Sequence, residues 1–297
     1  MSIKSLIKSI VPKGLFSSFR VGRKKSMAFN IRNTSSDVRQ IYDLLLASQT
    51  KQLQQLHPNP LNSFGRKCFS QTDEDGITIE ILKRINCLGV GNYAEFGVGD
   101  GTENNTLILK SLGWHGFWVG GEELAFEIKQ PNQTFSYLKD WITLENIVDL
   151  ARRGIEAIGA KKIDVISLDL DGNDIYFVEE LLSSQILPKL FIVEYNAKFP
   201  PPVRWAIDYN PEHLWRGDDY FGASLTSFND LFEAHGYRLV CCNSHTGSNA
   251  FFVRVEFSEA FTDIPTDISD IYSAPRYYPY HAFGHKNSIK TIEQLFS

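Results

Sequence analysis

The sequence predicts a doubly wound α/β fold, one seven-stranded sheet that is mostly parallel and ends on an antiparallel strand. Three observations predict it. From Asp73 onward, helical segments alternate with short strands rich in Val, Ile and Phe, the pattern of a sheet covered on both faces. The first strand runs into a glycine-rich turn and then a helix, as in Rossmann-like units. The last two strands are joined only by Asn243–Asn249, too short a link for a crossover, so they pair antiparallel.

The elements follow in order. Residues 1–35 form a basic segment, amphipathic or disordered. Residues 36–68 form a helical extension, because Val38, Ile41, Leu44, Leu45 and Leu53 recur at helical spacing before His57-Pro-Asn-Pro stops the helix. The core, residues 69–256, opens with a helix at Gly76–Ile85 and a strand at Tyr93–Val98. A helix at Asn105–Leu112 closes on Gly113, and a strand at His115–Val119 precedes a short helix at Leu124–Ile128. Then come a strand at Asp140–Leu144, a helix at Ile147–Ile158 and an apolar strand at Asp164–Leu168. The helix Tyr176–Leu182 leads to the strand Leu190–Val193. Residues 197–224 break the rhythm as an aromatic, Pro-rich insertion. A helix at Ser227–His235 and the strands Tyr237–Cys242 and Ala250–Glu256 complete the core, and residues 257–297 read as irregular.

Composition narrows the function classes. A chain of 297 residues with 43% hydrophobic residues suits one large domain with attachments. The four cysteines are too few for a disulfide framework, so a reducing, cytoplasmic setting is expected. The net charge of -5 is unevenly placed: residues 1–32 hold eight Lys or Arg and no acid, which leaves -13 on the rest. Ile3, Leu6, Ile7 and Ile10 lie on one face of that basic head, so it is expected to make peripheral contact with an anionic membrane. The acidic body offers no basic groove, and nucleic acid is excluded as a partner.

Glu95-Phe-Gly97-Val-Gly99-Asp100-Gly101-Thr102 joins the first strand to its helix. Thr102 stands where a nicotinamide enzyme carries its third glycine, and no Lys-Ser or Lys-Thr follows to grip phosphate. The loop is acidic, which favours a cationic ligand over a pyrophosphate.

This E-x-G-x-G-x-G stretch resembles the first motif of S-adenosylmethionine methyltransferases. Ser70-Gln71-x-Asp73-Glu74-Asp75-Gly76, Gly113-Trp-His-Gly, Thr143-Leu-Glu-Asn146, Asp169-x-Asp171-Gly-Asn-Asp174 and Glu194-Tyr-Asn196 resemble motifs of the FkbM-like group within it. The resemblance spans roughly Phe69–Val255. It implies the cofactor S-adenosyl-L-methionine, held by Gln71, Glu95, Gly97, Gly99, Asp100, Gly101, Asn105, Glu122, Asn146 and Asp169. The group usually carries its ribose-binding acid directly at the end of strand two, where this chain has Gly120-Gly121 before Glu122. It also implies methylation of a sugar hydroxyl on a glycan or saccharide-containing molecule. A small phenol or antibiotic acceptor, or a non-catalytic saccharide-binding or assembly protein, remains an alternative.

Methyl transfer to oxygen needs a group that takes the hydroxyl proton, or a cation that acidifies it. His245 and Asp171 follow strands six and four and are the candidate bases. Asp169, Glu194 and Asn196 are the candidate ligands of a magnesium ion, an arrangement similar to that of magnesium-dependent catechol-type and macrolide-sugar O-methyltransferases. His213, Trp205, Trp215, Tyr220 and Phe221 place chemistry in the insertion, either against the acceptor or in packing.

Overall fold

The computed structural model describes residues 38, 40–42, 44–128, 134–215, 219–276, 292 and 296. The chain divides into two units, Met1–Ser48 and Gln49–Ser297. In the first, the described positions from 38 to 48 are helical, as expected. The basic segment 1–35 and the chain beyond 276, apart from Ile292 and Phe296, lie outside the described residues.

The second unit opens with helical residues 49–56 and a 3-10 turn at Pro60–Phe64. Its helices are α1 (Glu74–Arg84), α2 (Leu107–Ser111), α3 (Ile147–Ala157), α4 (Asp174–Ser183), α5 (Leu225–Ala234) and α6 (Ile268–Ile271). Its strands are β1 (Asn92–Phe96), β2 (His115–Gly120), β3 (Phe135–Lys139), β4 (Val165–Leu168), β5 (Leu190–Glu194), β6 (Tyr237–Cys242) and β7 (Asn249–Arg254). They form one sheet in the order β3-β2-β1-β4-β5-β7-β6. β1 to β5 pair in parallel, and β7 runs antiparallel between β5 and β6. This is the expected Rossmann-like α/β architecture.

Two local expectations fail. The third strand is Phe135–Lys139, not Asp140–Leu144, because Phe135 is the residue that reaches the core. Its ring meets Trp118 edge-on at 5.2 Å, while residues 140–144 form a loop. Residues 124–128 are not helical either. The Ala125 amide instead donates to the Asp100 carbonyl at 2.9 Å, drawing the segment over the glycine turn.

The core sits on both faces of the sheet. β4 is buried along its whole length, so its run of apolar side chains shows no alternation. On one flank Phe232 of α5 stacks on Phe252 of β7 at 3.9 Å. On the other, Trp118 is fully buried and its indole N–H donates to the Thr106 hydroxyl at 2.8 Å. The parallel strands leave their carboxyl ends on one rim, where the order reverses between β1 and β4.

Candidate functional site

β1 leaves the sheet through Gly97, Gly99 and Gly101, with φ of +88°, +51° and +80°. These left-handed values favour glycine at each position. Gly97 is also a contact point: a Cβ there would lie 1.6 Å from the Asp169 carbonyl oxygen. The turns after β1 and β4 therefore touch backbone to backbone.

Glu95 turns its carboxylate towards the start of α2. Its carboxylate accepts from the Asn105 amide (2.9 Å), the Thr106 amide (3.0 Å) and the Thr106 hydroxyl, so it holds the approach to α2. Burial pushes its pKa up to about 7 against the pull of those hydrogen bonds. Asp100 folds back on Thr102, accepting from its amide and hydroxyl. The Asn105 side chain donates to Ser167 on β4 at 3.1 Å. Gly101 lies under Leu124 and Phe126. Of the expected glycine-turn set, only Gly97 and Gly99 line the pocket described next. Glu95, Asp100, Gly101 and Asn105 shape the turn from behind.

The pocket has a volume of about 390 Å³ and sits on the rim at the switch between β1 and β4. Gly97, Gly99, Asp169 and Asp171 form its floor, and Gly120, Gly121 and Glu122 one wall. Glu122, two residues past the end of β2, lines this wall. Trp141 and Ile142 line the neighbouring wall. Asn146 does not: it accepts from the Thr143 amide and donates to the Trp141 carbonyl, both at 2.8 Å, so it ties up the turn after β3. Trp141, 57% exposed, was missed because a surface tryptophan carries no motif. Gln71 is exposed and lies outside the lining, whereas Asp73, Glu74 and Asp75 beside it are buried.

Insertion residues Pro211, His213, Leu214 and Trp215 complete the lining. Asn173 fixes them reciprocally, donating to the Asn210 carbonyl (2.7 Å) and accepting from its amide (3.1 Å). The missing side chain of Gly172 leaves room for the His213 ring, whose Cδ2 would be 2.5 Å from a Cβ there. Among the described residues, no Lys or Arg lines this pocket.

Asp169, Asp171 and Glu194 each bring an oxygen within 4.8 Å of the others. Burial pushes Asp169 up to about 8, with the charges of Asp171 and Asp174 adding to it. Burial and the Asp169 charge raise Glu194 well above the carboxylate range. Their mutual hydrogen bond lowers Asp169 and raises Glu194, so Asp169 is the first of the two to ionise as pH rises. Asp171 is the exposed member and sits at φ +52°, a strained value for a non-glycine residue. Burial raises its pKa, and the nearby His213 opposes that. Asp174 organises the loop by accepting from the Leu170 and Gly172 amides, both at 2.8 Å.

Two expected site residues are engaged elsewhere. Asn196 is fully buried, and its amide donates to the carbonyls of Asp219 and Phe221 at 2.9 and 3.0 Å. It holds the end of the insertion, and Asp171 takes its place in the oxygen cluster. His245 is 1% exposed; its Nδ1 meets the Thr50 hydroxyl at 3.0 Å and its amide donates to Asp73. Burial lowers its pKa to about 4, and it does not line the pocket. It belongs to a buried polar network with Thr72, Asp73, Glu74 and Asn243.

Fold and site together define a doubly wound α/β protein with an acidic pocket at its switch point. No protein-family model matches the chain, and no curated protein matches it. Among solved structures it is similar to the magnesium protoporphyrin IX methyltransferase ChlM from Synechocystis PCC 6803 with bound SAH. That match has 13% identity and a TM-score of 0.38 and covers 60% of this chain and 80% of that one. The CurJ carbon methyltransferase matches at 13% and 0.38, over 61% of this chain; the chain spans about half of CurJ's length (52%). Fibrillarin, in its complex with Nop5p, matches at 11% and 0.33, over 55% of this chain and 71% of that one. These likenesses concern general layout and say nothing of chemistry.

Proposed function

We propose that the protein is an S-adenosyl-L-methionine-dependent O-methyltransferase that acts on a sugar hydroxyl of a glycan or saccharide-containing molecule. One observation carries the reading. The pocket joins a glycine turn to three acidic residues, Glu122, Asp169 and Asp171, a lining that suits a sulfonium and an ammonium better than a polyphosphate. Gly97 and Gly99 let the methionine portion approach the backbone. Glu122 takes the ribose hydroxyls, and Trp141 with Ile142 flanks the adenine in place of Asn146.

The acceptor enters beside the insertion, between His213 and Trp215. Its oxygen attacks the methyl carbon in line: the O–C bond forms as the S–C bond breaks, and S-adenosylhomocysteine leaves. Asp171, the exposed carboxylate of the cluster, receives the hydroxyl proton. His245 is not the base on this reading. A second reading rests on the close spacing of Asp169, Asp171 and Glu194, an oxygen set of the kind that holds magnesium; a cation there would acidify the acceptor hydroxyl.

Calorimetry with S-adenosylmethionine, S-adenosylhomocysteine and NAD tests the cofactor. The first two should bind and NAD should not; saturation at about 100-fold over Kd should raise the Tm by roughly 5 °C. NAD binding with no S-adenosylmethionine binding would reject the reading. Transfer of labelled methyl to a panel of glycosides and phenols then separates saccharide from phenol acceptors. Cofactor binding without any transfer would favour the non-catalytic alternative. Repeating the transfer in chelator, then with magnesium restored, separates the base from the cation.

A further inference from the structure

Among the described helical residues 38, 40–42 and 44–48, Leu46 is buried, while the other large apolar side chains face solvent. Val38, Ile41, Leu44 and Leu45 are 62%, 58%, 71% and 65% exposed, and Tyr42 joins them at 37%. At 100° per residue, Val38, Ile41, Tyr42 and Leu45 fall within one stripe about 100° wide, with Leu44 about 60° beyond its edge and Gln40 about 100° beyond it. In a water-facing helix this stripe would be polar. The residues just before it, 1–32, hold eight Lys or Arg and no acid.

We propose that this stripe is the docking face of a peripheral membrane contact, with an anionic lipid surface as its occupant. The charge chooses the occupant. A second copy of the chain would bring another +8 against the first, whereas acidic headgroups complement the basic stretch while the acyl boundary takes up the stripe. The geometry suits a helix lying in the interface, because among the described residues no helix is long and apolar enough to cross a membrane. The inference is independent of the catalytic reading.

The test is co-sedimentation of the full chain with vesicles of phosphatidylcholine alone and with 30% phosphatidylglycerol. Wild type should partition to the anionic vesicles and lose that binding as salt rises. Ile41→Ser/Leu45→Ser, which leaves the charge unchanged, should lower the partition coefficient about tenfold or more. Gln40→Glu should stay within about fivefold, since one charge near a membrane surface counts for roughly 1 kcal/mol. Circular dichroism and Tm are to be unchanged in both variants. Wild-type binding that survives Ile41→Ser/Leu45→Ser would overturn the role of the stripe. A wild type that ignores anionic vesicles would overturn the membrane itself. A solution dimer split by the same double variant, without vesicle binding, would assign the stripe to self-association instead.

Discussion

Asp169 is a carboxyl group that the fold keeps protonated near neutrality, and its cost has a sign. Its pKa is about 8 in the folded chain against an ordinary value of 3.8. Between those values the native state binds the extra proton, so stability falls as pH rises from about 4 through about 8. Glu95, at about 7, acts in the same direction. The ligand-free Asp169→Asn protein should therefore gain over wild type at pH 8, by more than about 2 °C in Tm, and gain little at pH 5. Parallel Tm curves for the two proteins would show that Asp169 carries no raised pKa. Gly97→Ala should fail for a steric reason, because its Cβ would overlap the Asp169 carbonyl at a φ of +88°. We expect at least about 2 kcal/mol lost from stability in a urea titration, with cofactor affinity down about 100-fold in calorimetry. The glycine turn was legible in the sequence because positive φ restricts residue choice. The directions of Glu95, Asn146 and Asn196 were not, since a polar side chain at a strand end can serve a ligand or a neighbouring amide equally well. His245 was placed at the right rim, but Thr50 and Asp73, which enclose it, lie some 170 to 195 positions away in sequence.

At the scale of elements, the insertion depends on a few polar ties. Asn196→Ala would leave the carbonyls of Asp219 and Phe221 without the amide that holds them, the second of these bonds being buried. The expected loss is about 2 kcal/mol, read by urea denaturation. In kinetics, acceptor KM should rise while S-adenosylmethionine affinity holds within about threefold, because Asn196 touches nothing on the cofactor side. Equal loss of both affinities would contradict that division. Ser224 caps α5 by accepting from the Ser227 amide at 3.2 Å, and Ser224→Ala should cost about 1 kcal/mol in the same assay. The helices and the inner strands were legible because their apolar periodicity is long. β3 was misplaced because an edge strand shows only half a pattern: Phe135 is buried, Ser136 to Leu138 are half-buried and Lys139 is exposed.

Across the whole molecule the sheet grades from a buried centre to an open edge. β1, β4 and β5 lie inside the sheet order with near-complete burial, while β3 ends it. Amide hydrogen exchange should be slowest in those three strands and about tenfold or more faster in β3, as local opening there breaks fewer contacts. Uniform protection across the sheet would contradict this grading. The sheet order was legible from alternation and one short link, whereas the exposed apolar stripe of residues 38–45 was read as an ordinary amphipathic helix, since sequence alone does not say which side is covered. The reciprocal Asn173–Asn210 pair has a consequence of another kind. It fastens the insertion to the N-terminal end of α4 while the opposite walls of the pocket come from β1, β2 and the turn after β3. Both bonds use only the backbone of residue 210, so segment 197–224 can drift, or be exchanged for a foreign loop with any residue but proline at that position, without rebuilding those walls.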